Sequence, residues 1–244
     1  MLDLALEEQL DELDPLRHLR QDASDDEHSP NSIVPHQPPS IRNQTIRLAF
    51  PSSPDRDPIS IKLSVDASPG CGGIAWPAGE VLASYISRTA SLDGKTVLEL
   101  GSGTGLVGLV AGKLGARVCI TDQAPLLDIM KRNVSLNGLE SRVSVAELNW
   151  GEPIPDSIPE PDLVLAADCV YFEPAFPLLV KTLVDLVHDL STEVLFCYKK
   201  RRKADKRFFA LLKKEFSWQE VADDPQREAY SRDAISLLRL SRRK

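Results

Sequence analysis

From about residue 95 the chain alternates short apolar runs with longer helix-like stretches, and this alternation constrains the fold more than any other feature. "KTVLEL" (95–100), "ARVCITD" (116–122), "SRVSVAEL" (141–148), "DLVLAAD" (162–168) and "TEVLFCYK" (192–199) read as strands. Between them, "TGLVGLVAGKLG" (104–115) reads as a helix closed by Gly115, and "APLLDIMKRNVSLNG" (124–138) as one stopped by Asn137-Gly138. "EPAFPLLVKTLVDLVHDL" (173–190) and "DKRFFALLKKEF" (205–216) are two more helices, and "SWQEVA" (217–222) and "AISLLRL" (234–240) the last strands. Strands that alternate with helices are joined by right-handed crossovers. The expected fold is therefore α/β, a mostly parallel seven-strand sheet with helices on both faces. Ligands of such sheets lie beyond the carboxyl ends of the strands.

The preceding segment adds three parts. "IAWPAGEVLASYISRTA" (74–90) places apolar residues at 78, 81, 82, 85 and 86 on one helical stripe, with Pro77 suited to a first turn. "TIRLAF" (45–50) and "ISIKLSV" (59–65) alternate apolar and polar residues, as a β-hairpin or two edge strands do. Residues 1–40 are acidic and rich in Pro and Ser, and read as a disordered or weakly ordered tail, although leucines at 2, 6, 10 and 13 fall near a helical period. The expected organisation is a tail over 1–40 and one domain over 41–244, divided into a β extension (41–67) and a core (68–244).

Charge and cysteine usage exclude several classes. A formal net charge of −7 argues against a broad nucleic-acid-binding face. It leaves room for a local basic patch, and "KKRRKADKR" (199–207), which reads as a solvated loop, follows the fifth core strand on the ligand side. The four cysteines form no CxxC pair, and three lie in apolar runs as small buried thiols, which fits a reducing compartment. The four histidines show no ligand spacing, so no metal site is expected. No apolar run approaches the roughly 18 residues of a membrane span. The acidic N-terminus lacks the basic region of a signal peptide. A cytoplasmic protein that does not engage membranes is expected.

The chemistry is concentrated in "LELGSGTGLVGL", where Gly101, Gly103 and Gly105 follow a buried strand directly. Glycine admits positive φ and removes the Cβ that would block a ligand lying on the backbone. The spacing departs from the G-x-G-x-x-G/A dinucleotide fingerprint, because Leu106 fills the third slot, and the phosphate loop G-x-x-x-x-G-K-[ST] is absent. Glu99 stands just before the loop, where a carboxylate can meet an ammonium or other polar ligand atoms. Asp122 ends the next strand, where a carboxylate accepts hydrogen bonds from ribose hydroxyls. Together they describe a pocket for an adenosine-containing ligand without a pyrophosphate.

"VLELGSGTGLVGL" followed by "VCITD" resembles the cofactor-binding motifs of class I S-adenosylmethionine-dependent methyltransferases, whose Rossmann-like fold would cover about residues 70–240. Trp76 in "IAWPAGE", Trp150 in "LNWGE" and the D-x-x-Y run Asp168-Cys169-Val170-Tyr171 narrow the likeness to the non-SET protein-lysine methyltransferases of family 16. "ADCVYFEPAFPLLVKTL" looks most like the fungal enzymes that methylate a lysine of translation elongation factor 1-alpha. The resemblance implies S-adenosyl-L-methionine as cofactor, held by Trp76, Glu99, Gly101, Ser102, Gly103, Asp122, Trp150 and Ala167. It implies Asp168 and Tyr171 as catalytic residues and elongation factor 1-alpha as protein substrate; a monomer is expected. Enzymes that methylate planar nitrogens often end the fourth strand with N/D-P-P-Y; Cys169 and Val170 replace those prolines here and weigh against adenine or glutamine acceptors. A small-molecule or RNA methyltransferase on the same fold, and a non-catalytic binding scaffold, stay open as alternatives.

A lysine acceptor sets a demand. Its pKa near 10.4 leaves about one amine in a thousand neutral at pH 7. A nearby sulfonium and desolvation lower that pKa, whereas a carboxylate such as Asp168 raises it. Asp168 is therefore expected to orient the nitrogen or relay a proton, and Tyr171 to wall the lysine channel.

Overall fold

The structure, a computed structural model, describes residues 43–52, 57–67, 71–89, 91–188, 191–201, 203 and 205–243. The tail expected over 1–40 lies outside the described residues.

Two strands, β1 (Gln44–Phe50) and β2 (Ile59–Val65), pair antiparallel from Gln44↔Val65 to Phe50↔Ile59 and form the expected hairpin. The core then runs α1 (Pro77–Thr89), β3 (Thr96–Leu100), α2 (Leu106–Lys113), β4 (Arg117–Asp122), α3 (Leu127–Leu136), β5 (Val143–Glu147) and β6 (Leu163–Ala167). It continues with α4 (Phe176–Leu186), β7 (Glu193–Lys199), α5 (Asp205–Glu215), β8 (Phe216–Glu220), α6 (Arg227–Arg232) and β9 (Ile235–Arg242). The seven-stranded sheet has the order β5-β4-β3-β6-β7-β9-β8. Its first five strands are parallel, and β9 runs antiparallel to both of its neighbours. The order reverses at β3, so β4 and β6 flank the strand that carries the glycine turn and leave a crevice at its carboxyl end.

Strand alternation sorts the apolar side chains into two cores. Val97, Val118, Ile120, Leu163 and Leu165 join α1, α2, α3 and the hairpin on one face. Leu98, Leu100, Val164, Ala166 and Phe196 join α4 and α5 on the other. On this second face Phe208 of α5 stacks on Phe196 of β7 at 5.5 Å between ring centroids and meets Phe176 of α4 edge-on at 5.6 Å. Such contacts add about 0.5–1.5 kcal/mol each beyond burial. They fix α4 and α5 against the strand ends that carry the site.

Helix ends follow the sequence signals. α1 starts at Pro77, and α2 ends in a Schellman turn in which Ala116 N–H donates to Ala111 O and Gly115 N–H to Gly112 O, both at 3.2 Å. The stretch 173–190 differs from a continuous helix: a 3-10 turn (Glu173–Ala175) precedes α4, and both carry proline at an early position, where the missing N–H costs no helical bond. The short helix α6 has no counterpart in the sequence reading. The hairpin is tied to the glycine turn through Asn133 of α3, fully buried. Its side chain accepts from Ser64 N–H at 2.6 Å and donates to Ser64 O at 3.1 Å and to Thr104 O at 2.9 Å.

Candidate active site

The glycine turn is held by both flanking strands. Ser102, buried, donates its N–H to Thr121 O at 2.9 Å, while its hydroxyl donates to Glu99 O at 3.1 Å and accepts from Thr121 N–H at 3.0 Å. Gly101 and Gly103 have φ of 57° and 56°. A Cβ on Gly103 would stand 2.5 Å from the carbonyl oxygen of Gly72, so only glycine lets this turn meet the 3-10 segment Cys71–Gly73.

The two carboxylates beside the turn organise it as well as facing the cavity. Asp122 accepts from Gly103 N–H through Oδ2 and from Gln123 N–H through Oδ1, each at 2.8 Å. Burial raises its pKa, and these two bonds oppose the rise. Glu99 turns one oxygen into the first turn of α2, where Gly108 N–H donates to Oε2 at 2.9 Å. Burial nevertheless pushes the Glu99 carboxyl up to about 8. The folded state thus holds a proton that the unfolded chain releases near 4.5. Its contribution to stability is full below that value and is lost as pH rises through about 8. Glu99→Gln, which keeps an acceptor for Gly108, is expected to flatten the fall of Tm between about pH 5 and pH 8, as read by thermal melts across that range.

These residues open onto one cavity of about 880 Å³, within the range of small-molecule sites. All ten residues singled out in the sequence line it: Trp76, Glu99, Gly101, Ser102, Gly103, Asp122, Trp150, Ala167, Asp168 and Tyr171. Ile74, Leu106 and Leu126 add apolar wall, and Phe172 and Leu178, 36% and 44% exposed, form an apolar rim.

Asp168 differs most from its expected setting. It is a non-glycine residue at φ 57°, buried, with its N–H donating to Cys197 O at 2.8 Å. Arg201 grips its carboxylate with both arms, Nη1 to Oδ1 at 2.7 Å and Nη2 to Oδ2 at 2.9 Å. The two side chains are 3% and 5% exposed, and Lys199 N–H also donates to Oδ1 at 3.2 Å. The Arg201 guanidinium lies 5.4 Å above the Trp76 ring, and its own N–H donates to Oδ2 of buried Asp205 at 3.1 Å. The run 199–207 is therefore not uniformly a solvated loop: Arg201 is drawn inward because a buried carboxylate needs a partner. Sequence reasoning missed it, along with the rim residues Phe172 and Leu178. The available signal was its position two residues beyond the end of β7, the strand next to β6.

Among the described residues, no group of three or more His, Cys, Asp or Glu side chains could hold a metal ion. No helix among them is long and apolar enough to cross a membrane.

A mostly parallel sheet of this order, a glycine turn after the strand at the reversal and an acid ending the next strand define a class I methyltransferase. The fold is similar to that of a predicted O-methyltransferase, Atu636, from Agrobacterium tumefaciens, with a TM-score of 0.50 at 14% identity over 68% of this chain and 81% of that one. A protein-family profile described as lysine methyltransferase matches residues 55–215, and the chain belongs to that family. It is 45% identical over 202 residues to protein-lysine N-methyltransferase EFM6 of Saccharomyces cerevisiae, covering 71% of this chain and 82% of that protein. It is 42% identical over 172 residues to protein N-lysine methyltransferase METTL21A of Danio rerio, covering 68% and 78%. The cofactor is S-adenosyl-L-methionine. The cavity suits such a ligand: a turn closed to any Cβ at Gly103, a buried carboxylic acid at Glu99, a half-buried one at Asp122, and apolar walls wide enough for a nucleoside.

Proposed function

We propose that this chain methylates the side-chain amine of a lysine in translation elongation factor 1-alpha. The observation that carries this reading is the placing of the Asp168–Tyr171 corner and the glycine turn in one cavity with an apolar rim. When bound, S-adenosyl-L-methionine supplies a methyl group on a sulfonium, whose S–C bond breaks as the lysine nitrogen forms the new N–C bond. In this reading the backbone of Gly101–Gly103 and the rings of Trp76 and Trp150 enclose the cofactor, with Ser102 and Ala167 behind it. Asp122 takes the ribose hydroxyls, and Glu99 faces the amino-acid end. The rim residues Phe172 and Leu178 admit the methylenes of the acceptor and exclude water from the transfer. Tyr171 walls the channel, and Asp168 fixes the direction from which the nitrogen approaches. Positioning of this kind supplies much of the acceleration of a bimolecular transfer.

The choice of elongation factor 1-alpha rests on the likeness of the stretch after β6 to the fungal enzymes of that specificity. Recombinant elongation factor 1-alpha incubated with the chain and labelled S-adenosylmethionine is expected to carry the label on a lysine nitrogen, located by mass spectrometry and resistant to ribonuclease. Label found only in RNA or in small molecules would assign the acceptor to another class.

A further inference from the structure

Asp168 poses a problem that the geometry itself answers. An unpaired carboxylate beside the acceptor would hold the lysine in its ammonium form, and each unit of raised pKa removes nine-tenths of the reactive amine at neutral pH. Here the carboxylate meets a guanidinium in a two-armed pair at 2.7 and 2.9 Å, both side chains almost fully buried. We infer that Arg201 is a positioning residue of this site, which fixes the Asp168 carboxylate and cancels its charge so that the incoming amine is oriented without being kept protonated.

Three observations beyond the pair itself support this role. Asp168 sits in left-handed backbone, which side-chain-bearing residues rarely adopt, and its place is set by bonds from Arg201 and Lys199 N–H and to Cys197 O. Arg201 is itself anchored, by its own N–H on Asp205 at the start of α5 and by its stacking over Trp76. Arginine, unlike lysine, offers a flat fork that matches a carboxylate and stacks on an aromatic face. One residue thus joins the acceptor corner to a wall of the cofactor cavity.

The surroundings make the cancellation matter. Glu99 on β3, Asp122 on β4 and Glu152 after β5 give the cavity an acidic lining, and Asp205 faces Arg201 from α5. Glu99 is raised to about 8 by burial, so it carries little charge at neutral pH. The thiols of Cys169 and Cys197 are buried and pushed well above their usual range, hence neutral. Asp224, from the connection between β8 and β9, is paired with Arg88. Tyr171 and Lys199 complete the set. Among these groups, Arg201 is the one that meets the Asp168 carboxylate with a paired opposite charge.

The inference rests on lysine as acceptor, and its test separates the two. The rate constant kcat is measured against pH at saturating S-adenosylmethionine with recombinant elongation factor 1-alpha; its rising limb reports the acceptor amine in the complex. Arg201→Met is expected to move that limb up by about one pH unit and to lower kcat at neutral pH about tenfold. Arg201→Lys, which restores the charge but not the fork, should return the limb to its wild-type place while kcat stays several-fold low. The double variant Asp168→Asn/Arg201→Met, neutral at both positions, should also return the limb. S-adenosylhomocysteine affinity by calorimetry should stay within a few fold throughout. Should Arg201→Met fail to fold, Arg201→Gln is read in the same way. A wild-type limb in the folded Met or Gln variant overturns the role of Arg201 while leaving the acceptor in place. Absence of lysine label with the wild-type protein overturns the acceptor reading, and this inference with it.

Discussion

Gly103→Ala is expected to weaken S-adenosylhomocysteine binding by about a hundredfold, or roughly 2.7 kcal/mol, while the chain remains folded. Two costs combine. The residue sits at φ 56°, where an L side chain costs about 1–2 kcal/mol. The new Cβ would also lie 2.5 Å from Gly72 O, a backbone atom that cannot rotate away. Relief requires the turn or the Cys71–Gly73 segment to move, and both border the cavity. Moving the turn also breaks the bond from Gly103 N–H to Asp122, the carboxylate assigned to the ribose. Gly94→Ala is the matched control: it has φ 75° with nothing within 4 Å of its Cβ, so it bears the strain alone. That variant should lose some thermal stability and no affinity. Calorimetry on both, with circular dichroism to confirm folding, decides the matter. Wild-type affinity in folded Gly103→Ala would remove this turn from the cofactor wall.

The sheet was readable because its signals are local. Short apolar runs, a proline that opens α1 and glycines that close α2 and α3 each depend on a few neighbouring residues. The cavity was readable for a related reason: Glu99, the glycines and Asp122 stand at the ends of adjacent parallel strands, so topology alone brings them together. What escaped depends on contacts distant in sequence. Arg201 stands in a run of like charges that, taken as a run, belongs in water; its burial is decided by a carboxylate 33 residues upstream. Likewise nothing near Glu99 in sequence tells that its carboxyl turns toward Gly108, since that bond exists only once α2 has packed across β3. The helix α6 is short and its only buried residue is Tyr230, too little apolar material to form a periodic pattern.

Asp168→Asn should lower turnover about a hundredfold and Tm by about ten degrees, with S-adenosylhomocysteine affinity within a few fold of wild type. The stability loss follows from burial. The Arg201 side chain, 3% exposed, would face a neutral amide that accepts at one oxygen where the carboxylate offered two. Leaving a buried charge without its partner costs about 3–5 kcal/mol, and in a domain of this size each kcal/mol shifts Tm by roughly 2–4 °C. The turnover loss follows from geometry: a carboxylate gripped at both oxygens and held in left-handed backbone has one orientation, and a carboxamide with half of those bonds has several. Cofactor affinity is spared because the glycine turn and Asp122 are bonded to each other rather than to Asp168. The sign of the pH effect separates this variant from Arg201→Met. Asp168→Asn leaves an uncancelled guanidinium beside the acceptor, which lowers the amine's pKa, so the rising limb of kcat should move to lower pH even as its plateau collapses. A limb that moves down in Asp168→Asn and up in Arg201→Met means that the amine senses both members of the pair. Full turnover in Asp168→Asn would instead reduce Asp168 to the structural counter-ion of Arg201.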